Sequence, residues 1–346
     1  AARRHMAAVW DVPEEELPRS GKSAYELLDS LGQDGGVRAL LVLGSNVVVS
    51  APNVIHIEER LKALDFLAVS DFFLSETAQL ADVVLPSAQW AEEEGTMTNL
   101  EGRVILRRRA FEPPEGVRTD IEMICALAEH LGRGRYFTYA GPRGVFDELR
   151  RASAGGAADY SGITYEKIEA NAGVFWPCPA EDHTDGASGT PRLFTERFAT
   201  PSGLAKFHAV RHQPPAEEPD AAYPLYLTTG RVLAQYQSGT QTRRVAQLQA
   251  LAPEPFAEVH PTTARRHGLT DGAMVALRTR RGVAEFRVKV TTSIREDTVF
   301  VPFHWGGIRG ANRLTNPALD PVSRMPEFKV CAVRLETRDL PGPGGK

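Results

Sequence analysis

Three apolar runs separated by one helical pattern and one polar stretch constrain this chain more than anything else in it. Residues 37–44 read VRALLVLG and close on Gly44-Ser45-Asn46; a run without polar alternation suits a parallel-sheet strand buried on both faces. Residues 54–64 then place Ile57, Leu61 and Leu64 on one helical face, and 66–69 form a second apolar run ending in Ser70-Asp71. Ser75 is placed to cap a further helix with Glu76 in its first turn, and 82–85 read as a third strand stopped by Pro86. Strand, helix, strand in that order predicts an α/β doubly wound parallel-sheet domain.

An amphipathic helix over 121–131 ends this region. Residues 132–222 are rich in Gly, Pro, Ala and His, with stretches such as SAGGAADYSG and EDHTDGASGTP, and read as a connector and lid. At Tyr223 the character changes. Strands are expected at 225–228, 256–259, 273–279, 283–290 and 298–303, with a helix over 240–251 and turns at Asp271-Gly272 and Arg281-Gly282. A small closed β-barrel with helical inserts accounts for that series over 223–336. The Pro/Gly-rich tail 337–346 is expected to fray.

Composition narrows the function classes. The 346 residues carry 40 basic and 44 acidic side chains, a net charge of −4, which argues against a globally basic nucleic-acid surface. No run approaches the roughly 18 to 20 uncharged apolar residues of a membrane span. Cys125, Cys178 and Cys331 lie far apart, so neither a disulfide framework nor a sequence-local zinc or iron–sulfur site is built from them. The chain starts at Ala1, with Met6 following Arg-Arg-His, and reads as beginning at a cut edge.

Ligands of open α/β sheets sit beyond the carboxyl ends of the strands. Asn46, Ser70 and Asp71 stand there; an Asp so placed accepts hydrogen bonds from a ribose hydroxyl or the amino edge of guanine, and the plainer alternative is that Asn46 and Asp71 cap the following helices. Thr228-Thr229-Gly230-Arg231 follows a strand, its Gly allowing close backbone approach and its Arg forking onto an anion. Ser238-Gly239-Thr240-Gln241-Thr242-Arg243 repeats that chemistry before a helix. Two such loops suggest a phosphorylated ligand, while a generic strand-turn-helix explains either alone. Neither GxGxxG nor GxxxxGK[ST] is present, which leaves nicotinamide and P-loop nucleotide sites unsupported. His260, His267 and His304 lack metal-ligand spacing and read as structural, His183 as solvated, and Arg107-Arg108-Arg109 as a salt-bridged strand face.

Long motifs carry a family resemblance. SDFFLSETAQLADVVLPSAQWAEEEGTMTNLEGRV (70–104), TTGRVLAQYQSGTQTRRV (228–245) and VPFHWGGIRGANRLTNPALDPVSRMPEFKVCAV (301–333) resemble the molybdopterin oxidoreductase (DMSO reductase) superfamily. The likeness is nearest to assimilatory nitrate reductase catalytic subunits and covers their C-terminal half only. The resemblance implies that residues 1–131 are the last part of the α/β region and 223–336 a molybdopterin-dinucleotide-binding barrel of double-psi type. It implies a molybdenum bis(molybdopterin guanine dinucleotide) cofactor held by Asn46, Ser70, Asp71 and Asp120 on one side. Thr229, Gly230, Arg231, Ser238, Gly239, Thr242, Arg243, Asn312 and Lys329 hold it on the other. Phe303 and Arg309 fall near the substrate channel, with Arg313 a further candidate for steering nitrate. Where periplasmic relatives carry Lys in the WAEEEG segment, this chain has Glu93, which leaves that residue without a role.

The resemblance further implies that no catalytic residue or metal ligand lies in this portion. The cysteine ligand of molybdenum and a [4Fe-4S] cluster would belong to an upstream half of the same polypeptide, so this portion alone is expected to be inactive. Nitrate, or a similar small oxyanion, is the expected substrate, an electron-donor protein or domain the expected partner, and the cytoplasm the expected compartment. Formate oxidation, reduction of another oxyanion, and a non-catalytic scaffold without molybdenum are the alternatives.

Overall fold

A computed structural model describes residues 1–180 and 189–337; His183, most of the EDHTDGASGTP segment and the expected frayed tail from 338 lie outside the described residues. The chain divides into two compact units, Ala1–Ser20 with Pro86–Val210, and Gly21–Leu85 with Arg211–Lys346. Among the described residues no helix is long and apolar enough to cross a membrane.

The second unit opens with a three-stranded sheet, β1 (Ala39–Leu43), β2 (Phe66–Asp71) and β3 (Val83–Pro86), in that order. β1 and β2 are parallel, with Leu41 opposite Ala68, because the helix Val54–Lys62 carries the chain back between them. Leu40, Val42, Leu67 and Val69 pack with Ile57 and Leu61 of that helix. The reading of 37–44 as buried on both faces is corrected. Leu41 and Leu43, on the face of β1 opposite Leu40 and Val42, are 39% and 42% exposed. The helix expected from Ser75 is also cut short, to one turn at Ala78–Leu80.

In the first unit β4 (Gly95–Thr98), β5 (Arg103–Arg107) and β6 (Val174–Phe175) form an antiparallel sheet. Val104 and Val174 pack there with Phe146, Ile163 and Ile168. Phe146 and Ile168 come from the helices Pro142–Ser153 and Tyr165–Ala170, so much of the segment read as connector and lid is core-forming structure. The helix expected at 121–131 is Asp120–His130, opened by a capping box in which Thr119 and Glu122 satisfy each other's backbone amides. The three consecutive arginines are paired as expected, Arg107 with Glu93 at 3.0 Å, Arg108 with Glu169, and Arg109 with Glu112 at 3.1 Å. Glu93 thus has a partner in Arg107, and Glu92–Glu94 bend into β4.

The rest of the second unit is a closed six-stranded barrel of β7 (Leu225–Gly230), β8 (Phe256–Val259), β9 (Met274–Arg278), β10 (Val283–Val290), β11 (Thr298–Pro302) and β12 (Cys331–Thr337). Its order is β10-β8-β11-β7-β12-β9, with β7/β11 and β8/β10 parallel and the other pairs antiparallel. Strict alternation fills it: Ala284, Phe286 and Val288 point inward from β10, while Arg287 and Lys289 face out and pair with Glu254 and Glu258. The helix expected over 240–251 is broken into a turn at Thr242–Arg244 and a helix at Ala246–Leu251. Thr242, Arg243 and Arg244 spend their side chains on loop groups, which competes with a continuous helix.

Phe286 is fully buried at the centre of the barrel. Phe286→Ala is expected to cost about 3–5 kcal/mol. Urea unfolding should show a lower midpoint at unchanged slope.

Candidate functional site

Within the second unit the loop after β1 and the loop after β7 meet through side chains. Asn46 is 8% exposed and stands at the start of the short helix Val47–Ser50, yet its amide caps nothing. Its oxygen accepts from the Thr77 amide at 3.2 Å and the Thr77 hydroxyl at 2.9 Å; its nitrogen donates to Glu76 Oε2 at 2.7 Å and Thr240 Oγ1 at 3.1 Å. All four hydrogen-bonding positions of the amide are taken, so any contact with a ligand is left to its backbone. Glu76 then accepts from Arg243 at 2.8 Å. Burial pushes the Glu76 carboxyl up, but the hydrogen bonds from Arg243 and Asn46 outweigh it and hold the pKa below the usual carboxylate range.

Arg243 also donates to the carbonyls of Gly239 and Ser238 at 3.2 and 3.3 Å. Its charge is met by Glu76, so the expectation that Arg243 offers a free anion-binding fork is corrected to a joint between sheet and barrel. Thr242 is also spent internally, donating to Gln235 at 2.6 Å and accepting from the Tyr236 amide at 3.1 Å. Asn312, 6% exposed, donates to the Val49 carbonyl at 2.6 Å and accepts from Thr315 at 2.9 Å.

Other expected residues keep free chemistry. Among the described residues, Ser70 Oγ is buried with no hydrogen-bond partner, and the carboxylate of Asp71, 7% exposed, accepts only a long bond of 3.4 Å from the Phe73 amide. Across the β7 loop, Arg231 forms no ion pair among the described residues and lies 5.9 Å from the Phe303 ring centre. Lys329 Nζ lies 5.5 Å from the same ring and donates to the Thr229 carbonyl at 3.0 Å. Partial burial, and then the charge of Arg231, lower the Lys329 pKa. Two cations share one aromatic platform with no carboxylate between them, a site poised for an anion.

Backbone crowding explains two glycines beside these cations. A Cβ on Gly230 would lie 2.5 Å from the Phe300 ring; on Gly239, whose φ is +72°, it would lie 2.5 Å from the His304 carbonyl. Thr229 donates its hydroxyl to the Phe328 carbonyl at 2.9 Å, and Ser238 and Thr240 share a hydrogen bond of 2.9 Å.

Three further expected residues are engaged elsewhere or belong to the other unit. Arg309 pairs with Glu254 at 2.6 Å, and Arg313 donates to the Val283 carbonyl at 2.9 Å. Asp120 belongs to the first unit, exposed at the start of its helix. Glu76, Thr77 and His304 were not singled out for the site by the sequence; their partners lie 29 to 167 positions away, and no local pattern announces them.

Residues 2–130 match the Molybdopterin oxidoreductase family and residues 225–332 the Molydopterin dinucleotide binding domain. The chain is 47% identical over 96% of its length to the assimilatory nitrate reductase catalytic subunit of Bacillus subtilis (strain 168), covering 46% of that protein. It is 42% identical over 92% of its length to the F420-dependent formate dehydrogenase subunit alpha of Methanocaldococcus jannaschii, again covering 46% of it. The chain therefore spans about half the length of the curated relatives it matches. The solved structure of acetylene hydratase from Pelobacter acetylenicus shares its fold with a TM-score of 0.70 at 19% identity, over 97% of this chain and 49% of that one.

The Glu76–Arg243 pair is largely buried, at 28% and 23% side-chain exposure. A double-mutant cycle with Glu76→Gln and Arg243→Met should return a coupling energy on the order of 1–3 kcal/mol. Because the folded Glu76 pKa is depressed, this contribution is full above the unfolded value near 4.5 and fades as pH falls through the folded one. A coupling that stays constant through that acid range would contradict the assignment.

Proposed function

The chain belongs to the molybdopterin oxidoreductase family, and on that footing we propose that it is the cofactor-gripping portion of a molybdenum enzyme that reduces nitrate to nitrite. The observation that carries the reading is the pair of cations, Arg231 and Lys329, over Phe303, neither of them in an ion pair among the described residues, in the same unit as a buried hydroxyl with no partner there and a buried carboxylate that accepts one long hydrogen bond. Those donor and acceptor sets fit opposite ends of a guanine dinucleotide of molybdopterin, whose phosphates need cations and whose base offers N–H groups.

Asp71 and Ser70 would accept from the guanine edge, and the buried setting makes each unmade hydrogen bond costly, which favours a ligand that completes them. Arg231, Lys329 and the backbone around Gly230 and Gly239 would hold phosphate and pterin, with the glycines letting the chain come close. Ser238 and Thr229 complete the proposed contacts, and Asn46, Thr242, Arg243 and Asn312 hold the loops that present them. Phe303 and Arg309 are proposed at the substrate funnel, where Glu254 offsets part of the Arg309 charge. When bound, the molybdenum group supplies the oxygen-atom and electron transfer. The task of these residues is to fix its position and exclude water from its polar contacts. The thiolate ligand of the metal, the [4Fe-4S] cluster and the docking of an electron donor are assigned to the length that the relatives have beyond the matched half. The assimilatory likeness supports a cytoplasmic enzyme.

A second reading, oxidation of formate, is favoured by the 42% identity to a formate dehydrogenase subunit. Assaying the full-length enzyme with reduced viologen and nitrate, and with oxidised viologen and formate, separates the two. Turnover of formate alone would overturn the nitrate reading, and absence of molybdopterin dinucleotide from the purified protein would overturn both in favour of a scaffold.

Arg231→Ala in the full-length protein is expected to weaken cofactor retention on the order of ten- to a hundredfold, through loss of a charge-assisted contact. Molybdenum content and guanine nucleotide after extensive dialysis report it. Retention equal to the parent protein would remove Arg231 from the site.

A further inference from the structure

We propose that His304 is a positioning residue whose neutral imidazole locks the loop 231–240 in its ligand-presenting shape and lets go of it in acid. The lock is geometry within one unit; only its consequence for the cofactor rests on the function proposed above.

His304 follows β11 and is fully buried. Its Nε2 accepts from the Val232 amide at 3.0 Å, and its Nδ1 donates to the Gln237 carbonyl at 2.6 Å. One ring therefore pins the loop at both ends, next to Arg231 at one and Ser238 at the other. Its own carbonyl is the group that leaves no room for a side chain on Gly239. The loop needs such a restraint because Gln237 holds φ at +48°, a backbone region that a non-glycine residue leaves unless held.

The two hydrogen bonds also fix the proton. An acceptor at Nε2 and a donor at Nδ1 define the neutral tautomer with its proton on Nδ1. Protonating Nε2 would set one N–H against another and break the Val232 end.

The surroundings oppose that proton. Arg231 and Arg243 face the ring from the loop, Glu76 from the sheet side is already committed to Arg243, and Lys329 lies across Phe303, which packs on the imidazole at 4.7 Å. No carboxylate pairs with the imidazole among the described residues. Burial first, then the two arginines, hold the His304 pKa below its ordinary value of 6.5. With the folded value depressed, the unfolded chain binds more protons, so the contribution of the lock is full above 6.5 and is lost as pH falls through the folded value.

The test uses the full-length protein with His304→Gln, whose amide can donate and accept without titrating, and His304→Leu, which can do neither. Hydrogen-exchange protection of loop 231–240, normalised for intrinsic exchange, is measured in steps from pH 8 downward through and below the ordinary histidine range, as far as the barrel strands stay protected. Guanine nucleotide retained on gel filtration is measured in parallel.

The expected result is at least a tenfold loss of Val232 protection and loss of nucleotide in the parent protein at the acid end of the series, with the midpoint below 6.5. The Gln variant should keep both at each pH and the Leu variant neither, with barrel-strand protection unchanged throughout. A Leu variant as protected as the parent would overturn the lock. So would a Gln variant that loses protection in acid as the parent does; if the Leu variant fails to fold, this comparison decides alone. Protection that follows the lock while nucleotide retention does not would overturn its role toward the cofactor. A parent protein that carries no dinucleotide would overturn the cofactor reading, with the exchange data still judging the lock.

Discussion

The joint that everything in the second unit depends on is a carboxylate, Glu76, held between an amide from the sheet and a guanidinium from the barrel. Neither the three-stranded sheet nor the barrel alone presents the full set of groups proposed to bind the cofactor. The sheet contributes acceptors at Ser70 and Asp71, and the barrel contributes cations at Arg231 and Lys329. Glu76 ties the loops that carry them, and Asn46 reinforces it by reaching Thr240 directly. A surface ion pair of this kind would be worth little. Here the burial, the second donor from Asn46 and the carbonyl bonds of Arg243 leave each partner with nowhere better to go.

Much of this was legible in the sequence because its signals are local. Barrel strands such as β8 and β10 begin and end where the β-branched and aromatic runs do, since alternation against a closed interior admits one register. The need for glycine at 230 and 239 was likewise readable, because close backbone approach is demanded within a few residues of a strand end. What was not legible is everything whose partner is remote. Nothing near Glu76 says that it will meet a residue 167 positions later, and nothing in VPFHW says that both nitrogens of His304 serve one loop.

The misread segments fail for related reasons. The run at 37–44 looks like a doubly covered strand because hydrophobicity records what a residue tolerates; whether a second layer sits on Leu41 and Leu43 depends on chain elsewhere. The Gly- and Pro-rich stretch after 132 hides the amphipathic helices Pro142–Ser153 and Tyr165–Ala170, whose Phe146 and Ile168 complete a core begun by Val104. Composition averages over such a stretch, whereas a core needs only a few well-placed apolar side chains.

The arginines show how the fold sorts identical residues into different work. Arg243, Arg281 and Arg309 each meet a carboxylate, Glu76, Glu217 and Glu254, and so add little net positive potential to the loops around them. Among the described residues Arg231 and Lys329 meet no carboxylate and are set instead on the face of Phe303, which attracts cations without neutralising them. A carboxylate at that place would strengthen the empty protein and compete with an anionic ligand. An aromatic ring steadies both cations and leaves their charge available. The sequence motif names the arginines; only the placement of their partners separates those that build the site from those left to bind.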